Sequence, residues 1–146
     1  MIILDTDCLS LLQRKRGNGY FELYENLSRF SSDDIATTIV SFDEQMRGWM
    51  ALVAKARTTK SLVFAYTDLE SFLVSFTNLP VLPFDESSGL VFDQLVKQKL
   101  RVGTMDLRIA SISMSREAIL ISRNLVDFER IPNLNVEDWT RETYIN

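Results

Sequence analysis

The sequence predicts an α/β domain in which a twisted parallel sheet is flanked by helices. Short apolar runs alternate with longer segments that repeat every three to four residues, and polar or glycine-bearing breaks separate the two. Strands separated by helical segments favour a parallel sheet with helices on its faces. No linker, repeat or low-complexity tract divides the 146 residues, so 1–146 reads as a single domain, long enough for a real core.

Ile2-Ile3-Leu4 begins a buried strand, and a helical segment around Cys8 to Arg14 follows. Gly17-Asn18-Gly19 interrupts it, and Tyr20 to Phe30 reads as a second helix. The β-branched run Ile35 to Ile39 is a strand. From Ser41 the period changes: Met46, Trp49, Met50, Val53 and Ala56 mark a helix with one buried face. A further long helix places Leu62, Ala65, Tyr66, Leu69, Phe72, Leu73 and Phe76 on one side. Pro80 to Pro83 frames a short strand. Asp85 is placed to cap the next helix, whose Phe92, Leu95, Val96 and Leu100 point inward. Gly103-Thr104 opens a helix carrying Met105, Ile109, Ala110 and Ile112. Ala118 to Ile121 is a buried strand, Asn124 to Arg130 a short helix, and Leu134-Asn135-Val136 a last strand before a polar tail.

Composition removes several chemistries. The chain has no histidine and one cysteine, Cys8, which excludes a Ser-His-Asp triad, a Cys-His pair and a histidine-ligated metal. A single thiol makes no internal disulfide, and the opening MIILDTD has neither a basic start nor a long apolar stretch. The expectation is a cytoplasmic protein with no membrane span. The net charge of −4 has the wrong sign for a simple nucleic-acid binder, unless carboxylates gather around divalent cations that reverse the local field. With His and Cys removed, oxygen ligands remain, and these favour Mg²⁺ or Mn²⁺.

In a parallel sheet, ligands bind beyond the carboxyl ends of the strands. Asp5 follows the first strand, where an isolated buried carboxylate costs several kcal/mol in order of magnitude unless paired or metal-bound; a helix-capping Asp is the plain alternative. Glu44 lies in Ser41-Phe42-Asp43-Glu44, which also matches a capping box. Asp106 falls in the first turn of a helix, where the dipole alone favours an acid by about 0.3–1 kcal/mol. Asp127 sits three residues after Asn124, which has the makings of a cap. Each has a local explanation, yet all four fall at strand ends or in the helical turns that follow. Converging there, they would repel one another unless cations neutralise them, and cations so held serve phosphodiester hydrolysis.

The segments carrying these acids resemble the PIN-domain nucleases, and the resemblance covers nearly the whole chain. LDTDCLSLLQR (Leu4 to Arg14) looks like the family's opening motif, and SFDEQMRGWMA (Ser41 to Ala51) is similar to the second acidic motif, with Glu44 as the matching acid. GTMDLRIAS (Gly103 to Ser111) matches the third through Asp106. ISRNLVDFERIPNLNVEDW (Ile121 to Trp139) resembles the fourth, with Ser122, Asn124 and Asp127 in the matching places. Ser122 stands where Thr is common, and Asp7 where many members have Asn or Ser.

The resemblance implies a three-layer PIN-like fold and the activity of an endoribonuclease of the VapC-like toxin group. It also implies one or two Mg²⁺ or Mn²⁺ ions held by Asp5, Glu44, Asp106 and Asp127, and products bearing a 5′-phosphate and a 3′-hydroxyl. Thr6, Ser122 and Asn124 would line the site or orient its ligands. A small antitoxin partner and a homodimer are likewise implied. Phe42, Trp49 and Tyr66 are either part of the antitoxin's docking surface or simply core. Arg47 and Arg123 are candidates for phosphate contact or for fixing carboxylates. Arg14, Lys15, Arg16, Lys97, Lys99 and Arg101 either guide RNA or are solvated helix ends.

Two rival readings stand beside this one. Asp5-Thr6-Asp7 also resembles the start of haloacid-dehalogenase-like phosphatases, but Leu9 stands where a small β-branched residue is usual. A catalytically inert scaffold that binds RNA or protein is the second, although all four acids are present.

Overall fold

The computed structural model describes residues 1–142; the last part of the expected polar tail, 143–146, lies outside them. Five short strands, β1 (Ile2–Leu4), β2 (Ile35–Thr38), β3 (Val81–Leu82), β4 (Ile119–Ile121) and β5 (Val136–Glu137), form one sheet in the order β3-β2-β1-β4-β5. Every pairing is parallel. Among the described residues the seven α-helices are α1 (Thr6–Arg14), α2 (Tyr20–Leu27), α3 (Ile39–Lys55), α4 (Thr59–Phe76), α5 (Glu86–Lys97), α6 (Thr104–Ser115) and α7 (Leu125–Phe128).

The three layers follow from the two-residue period of the strands. Ile2 and Leu4 of β1 join Cys8, Leu9, Leu11, Leu23, Leu27 and Ile121 on one face. Ile3, between them, points to the opposite face and packs with Leu120, Leu95, Leu107, Ile109 and Ile112. The register agrees, because Ile3 pairs with Leu120 and Leu4 with Ile121.

Several expected boundaries move. The second helix ends at Leu27 rather than Phe30, and the last strand is Val136–Glu137 rather than Leu134 to Val136. The short helix near the end is Leu125–Phe128 rather than Asn124 to Arg130, with Asn124 and Glu129 at its cap positions. Ile39 starts α3 instead of ending β2, because Thr38 is the cap: its side chain accepts the N–H of Ser41. The capping-box reading of Ser41 and Glu44 therefore fails, since both lie inside the helix.

The largest correction concerns α3 and α4. Of the apolar residues expected on their buried faces, only Ala65 and Phe72 are buried, while Tyr66 and Leu73 are 55% and 59% exposed. Helix α4 packs chiefly on α3, which also meets α1, α6 and β2, with Phe42 stacked on Phe72 at 5.3 Å and Trp49 at 6.4 Å from the same ring. A periodic apolar stripe identifies a face but not what covers it. Val96, expected to point inward, is likewise exposed. No helix among the described residues is long and apolar enough to cross a membrane.

Candidate active site

The chain leaves β1 and β4 side by side at the point where the strand order reverses, the place where open α/β sheets bind ligands. Leu4 pairs with Ile121, so the next residues, Asp5 and Ser122, stand together at the carboxyl edge. Asp5 is only 5% exposed. It caps α1, its Oδ1 accepting the Thr6 N–H at 2.7 Å, and its Oδ2 accepts the Ser122 hydroxyl at 2.7 Å. Ser122 in turn accepts the backbone N–H of Asn124 at 3.0 Å, which orders the loop after β4.

Glu44 arrives from the second turn of α3, and the Thr6 hydroxyl donates to its Oε1 at 2.8 Å. Asp106 lies in the first turn of α6. The Asn124 amide donates to Asp127 Oδ2 at 3.0 Å and stands 3.5 Å from Asp106 Oδ2, bridging the two acids. Asn124 thus makes no side-chain cap on α7, contrary to its local pattern.

Electrostatics record the convergence. Burial, reinforced by the nearby Asp7 charge and more weakly by Asp106, pushes the Asp5 carboxyl up to about 7 against the lowering effect of the Ser122 and Thr6 hydrogen bonds. Burial, then Glu44, Asp127 and Asp7, pushes Asp106 up to about 6. Crowded carboxylates disfavour one another's ionisation. Asp7 faces Arg123 at 3.4 Å, and its Oδ1 is buried without a hydrogen-bond partner.

Arg123 is thus at the site. Arg47 is not, since it pairs with Asp43 one turn away on the exposed side of α3. Arg130, which sequence reasoning passed over, lies 3.3 Å from Asp127 Oδ1 and donates to the Arg101 carbonyl at 2.6 Å. The three-residue spacing from Asp127 was the available signal. Cys8 is buried, and burial together with Asp7 holds its thiol protonated.

An all-oxygen donor set with an unpartnered buried carboxylate oxygen fits a hard divalent cation. Among the described residues no three acids are drawn into one closed ligand cluster. That arrangement suits an ion that keeps several waters and takes only one or two carboxylates, as Mg²⁺ does. Beside the acids, a groove of about 550 Å³ runs between α1, α3 and α4, lined by Ser10, Gln13, Gln45, Trp49, Leu52 and Phe72 among others.

The sheet order and this acidic edge define an α/β domain with carboxylates gathered at the switch point of a parallel sheet. No family model matches the chain. It is 27% identical over 143 residues to ribonuclease VapC2 of Rickettsia felis, covering 95% of this chain and 98% of that one. It is 34% identical over 67 residues to the tRNA(fMet)-specific endonuclease VapC of Salmonella typhimurium, a match spanning about half (51%) of that relative. In fold it superposes on VapBC2 of Rickettsia felis, solved bound to a promoter DNA fragment, with a TM-score of 0.69 and 26% identity over 95% of this chain and 99% of that one. VapBC-1 of Haemophilus influenzae shares the fold with a TM-score of 0.74 at 24% identity, over 97% of this chain and 100% of that one. The chain is VapC-like in sequence and in fold over nearly its whole length.

Proposed function

We propose that this protein is a divalent-metal-dependent endoribonuclease and the toxin member of a VapBC-type toxin–antitoxin pair, acting in the cytoplasm. The observation that carries the reading is the gathering of Asp5, Glu44, Asp106 and Asp127 at the switch point of the sheet, each from a different element. Asp5 is buried, and burial raises the carboxyls of both Asp5 and Asp106. They are the foremost candidate ligands for Mg²⁺ or Mn²⁺, followed by Glu44 and Asp127.

A bound divalent cation supplies Lewis acidity to activate water and to offset charge on the phosphate. The chain's own groups position it. Ser122 and Thr6 fix the rotamer of Asp5, Thr6 also holds Glu44, and Asn124 ties Asp106 to Asp127. Arg123, about a third exposed beside the acids, is placed to meet a backbone phosphate. Water adds to phosphorus as the P–O3′ bond breaks, leaving a 5′-phosphate and a 3′-hydroxyl. Both Asp5 oxygens already accept hydrogen bonds, which suits a positioned ligand better than the nucleophile of a phosphatase.

The similar proteins solved as VapBC complexes support an antitoxin as partner, and self-association into a homodimer is part of the proposal. The exposed apolar residues of α4 and the groove beside the acids offer surfaces for both.

The test is cleavage of total cellular RNA with Mg²⁺ or Mn²⁺, using antitoxin-free protein. Discrete fragments that vanish with chelator and in Asp5→Asn and Asp106→Asn are expected. Cleavage that persists in both variants would refute the carboxylate mechanism.

A further inference from the structure

The junction of β2 and α3 holds hydroxyls that the roles assigned so far leave unused. Thr38 and Ser41 are both fully buried at 0% exposure. Thr38 Oγ1 accepts the Ser41 N–H at 3.0 Å, which completes the helix cap by itself. The Ser41 hydroxyl is not needed for that cap, and an alanine would leave it whole. Instead Ser41 Oγ lies 3.0 Å from Thr6 Oγ1 and 3.3 Å from Thr38 Oγ1. Thr6 is the residue that holds Glu44, at 2.8 Å.

An ionised carboxylate only accepts, and each hydroxyl has one proton to donate. Thr6 Oγ1 has two acceptors in reach, Glu44 Oε1 at 2.8 Å and Ser41 Oγ at 3.0 Å, and the shorter contact, to the charged group, is the stronger. Ser41 Oγ accepts the Thr38 hydroxyl as well, so the buried pair Thr38–Ser41 anchors the place of the Thr6 hydroxyl beside Glu44. Among the described residues no hydrogen bond engages the second oxygen of Glu44, Oε2, which leaves it available to a ligand.

We propose that Ser41 and Thr38 are positioning residues which act through Thr6 to fix the Glu44 carboxylate for cation binding. The inference rests on the metal-site reading above. Ser41 touches neither cation nor RNA; its effect is carried by the rotamer of Glu44.

The test is calorimetric titration of the full chain with Mn²⁺ alone, comparing wild type, Ser41→Ala, Glu44→Gln and the double variant. Groups that orient metal ligands are worth about 10- to 100-fold in metal affinity. Ser41→Ala is expected to weaken Mn²⁺ binding about 10-fold in the wild-type background and not at all in the Glu44→Gln background. Its effect on the metal-free melting temperature should be the same in both. Unchanged Mn²⁺ affinity in Ser41→Ala, or an equal loss in both backgrounds, overturns the proposal. Should Ser41→Ala not fold, Thr6→Ser is expected to keep the affinity and Thr6→Val to lose it; equal affinities for the two would overturn it as well. A wild-type chain without a Mn²⁺ site weakened by Glu44→Gln refutes the metal-site reading and this proposal together. A site that responds to Glu44→Gln but not to Ser41→Ala refutes this proposal alone.

Discussion

Ser122 and Asp5 are separated by 117 residues and joined by a buried hydrogen bond of 2.7 Å at the meeting of β4 and β1. The hydroxyl lowers the proton affinity of a carboxyl that burial raises. Removing it in Ser122→Ala leaves a buried acceptor short of a donor, at a cost of about 1–3 kcal/mol. Cleavage should fall about 10- to 100-fold, whereas Ser122→Thr, which keeps the hydroxyl, should retain most of it. Urea denaturation and RNA cleavage measure the two effects, and a Ser122→Ala protein unchanged in both would break the link.

The raised carboxyls make the metal-free chain pH-sensitive. A folded-state value near 7 for Asp5, against 3.8 otherwise, means the fold holds that proton more tightly than the unfolded chain does. The associated stability is fully present below about pH 3.8 and is lost as pH rises through about 7; Asp106, near 6, acts in the same sense. In chelator, the melting temperature should therefore decline from pH 5 to pH 8. Asp5→Asn should flatten that decline, and Mn²⁺ should stabilise the wild type more at pH 8 than at pH 5. A melting temperature that rises across this range in chelator contradicts the buried-acid account.

Arg123 and Arg47 should separate by function. Arg123 stands at the acids opposite Asp7, and Arg47 is engaged with Asp43 on the far side of α3. For Arg123→Ala we expect weaker RNA binding and a binding-versus-salt slope smaller by about one, as for the loss of a single phosphate contact. Arg47→Ala should leave both nearly unchanged. Salt-series binding to RNA by the inactive Asp106→Asn background distinguishes them, and the reverse ranking would displace Arg123 from its role.

The exposed side of α4 should matter for association and not for folding. Tyr66 and Leu73 are more than half exposed, so replacing either with Lys removes little core packing. The melting temperature of the isolated chain should barely move, while binding of the proposed antitoxin, measured by co-purification after co-expression, should be lost. Intact co-purification with both variants would locate the partner elsewhere.

Much of this was legible in the sequence because it is local. Ile2-Ile3-Leu4 and Ile119-Leu120-Ile121 are strands from composition alone, and Asp85 caps α5 as its position before an amphipathic run suggests. Three of the acids were legible as candidates too, since Asp5 directly follows a strand and Asp106 and Asp127 lie in first helical turns, whereas Glu44 sits one turn further into α3. The failures have one character. Glu44 and Asn124 each matched a capping pattern, but each turned to a partner brought near by the sheet order. Thr38 and Ser41 gave no signal, because two hydroxyls beside a helix start are ordinary until Thr6 lies next to them.

The sequence by itself determined the order of strands and helices, the exclusion of histidine and paired-cysteine chemistry, and the resemblance to PIN-domain nucleases. These depend on composition and on steric preferences and periodicities that act over a few residues. Only the tertiary structure decided which hydroxyl meets which acid, that one amide joins Asp106 to Asp127, which arginine lies beside the acids, and that the stripes of α3 and α4 face outward as well as each other. Those outcomes depend on strand order and helix placement, and a contact across 117 or 38 residues leaves no trace in local periodicity.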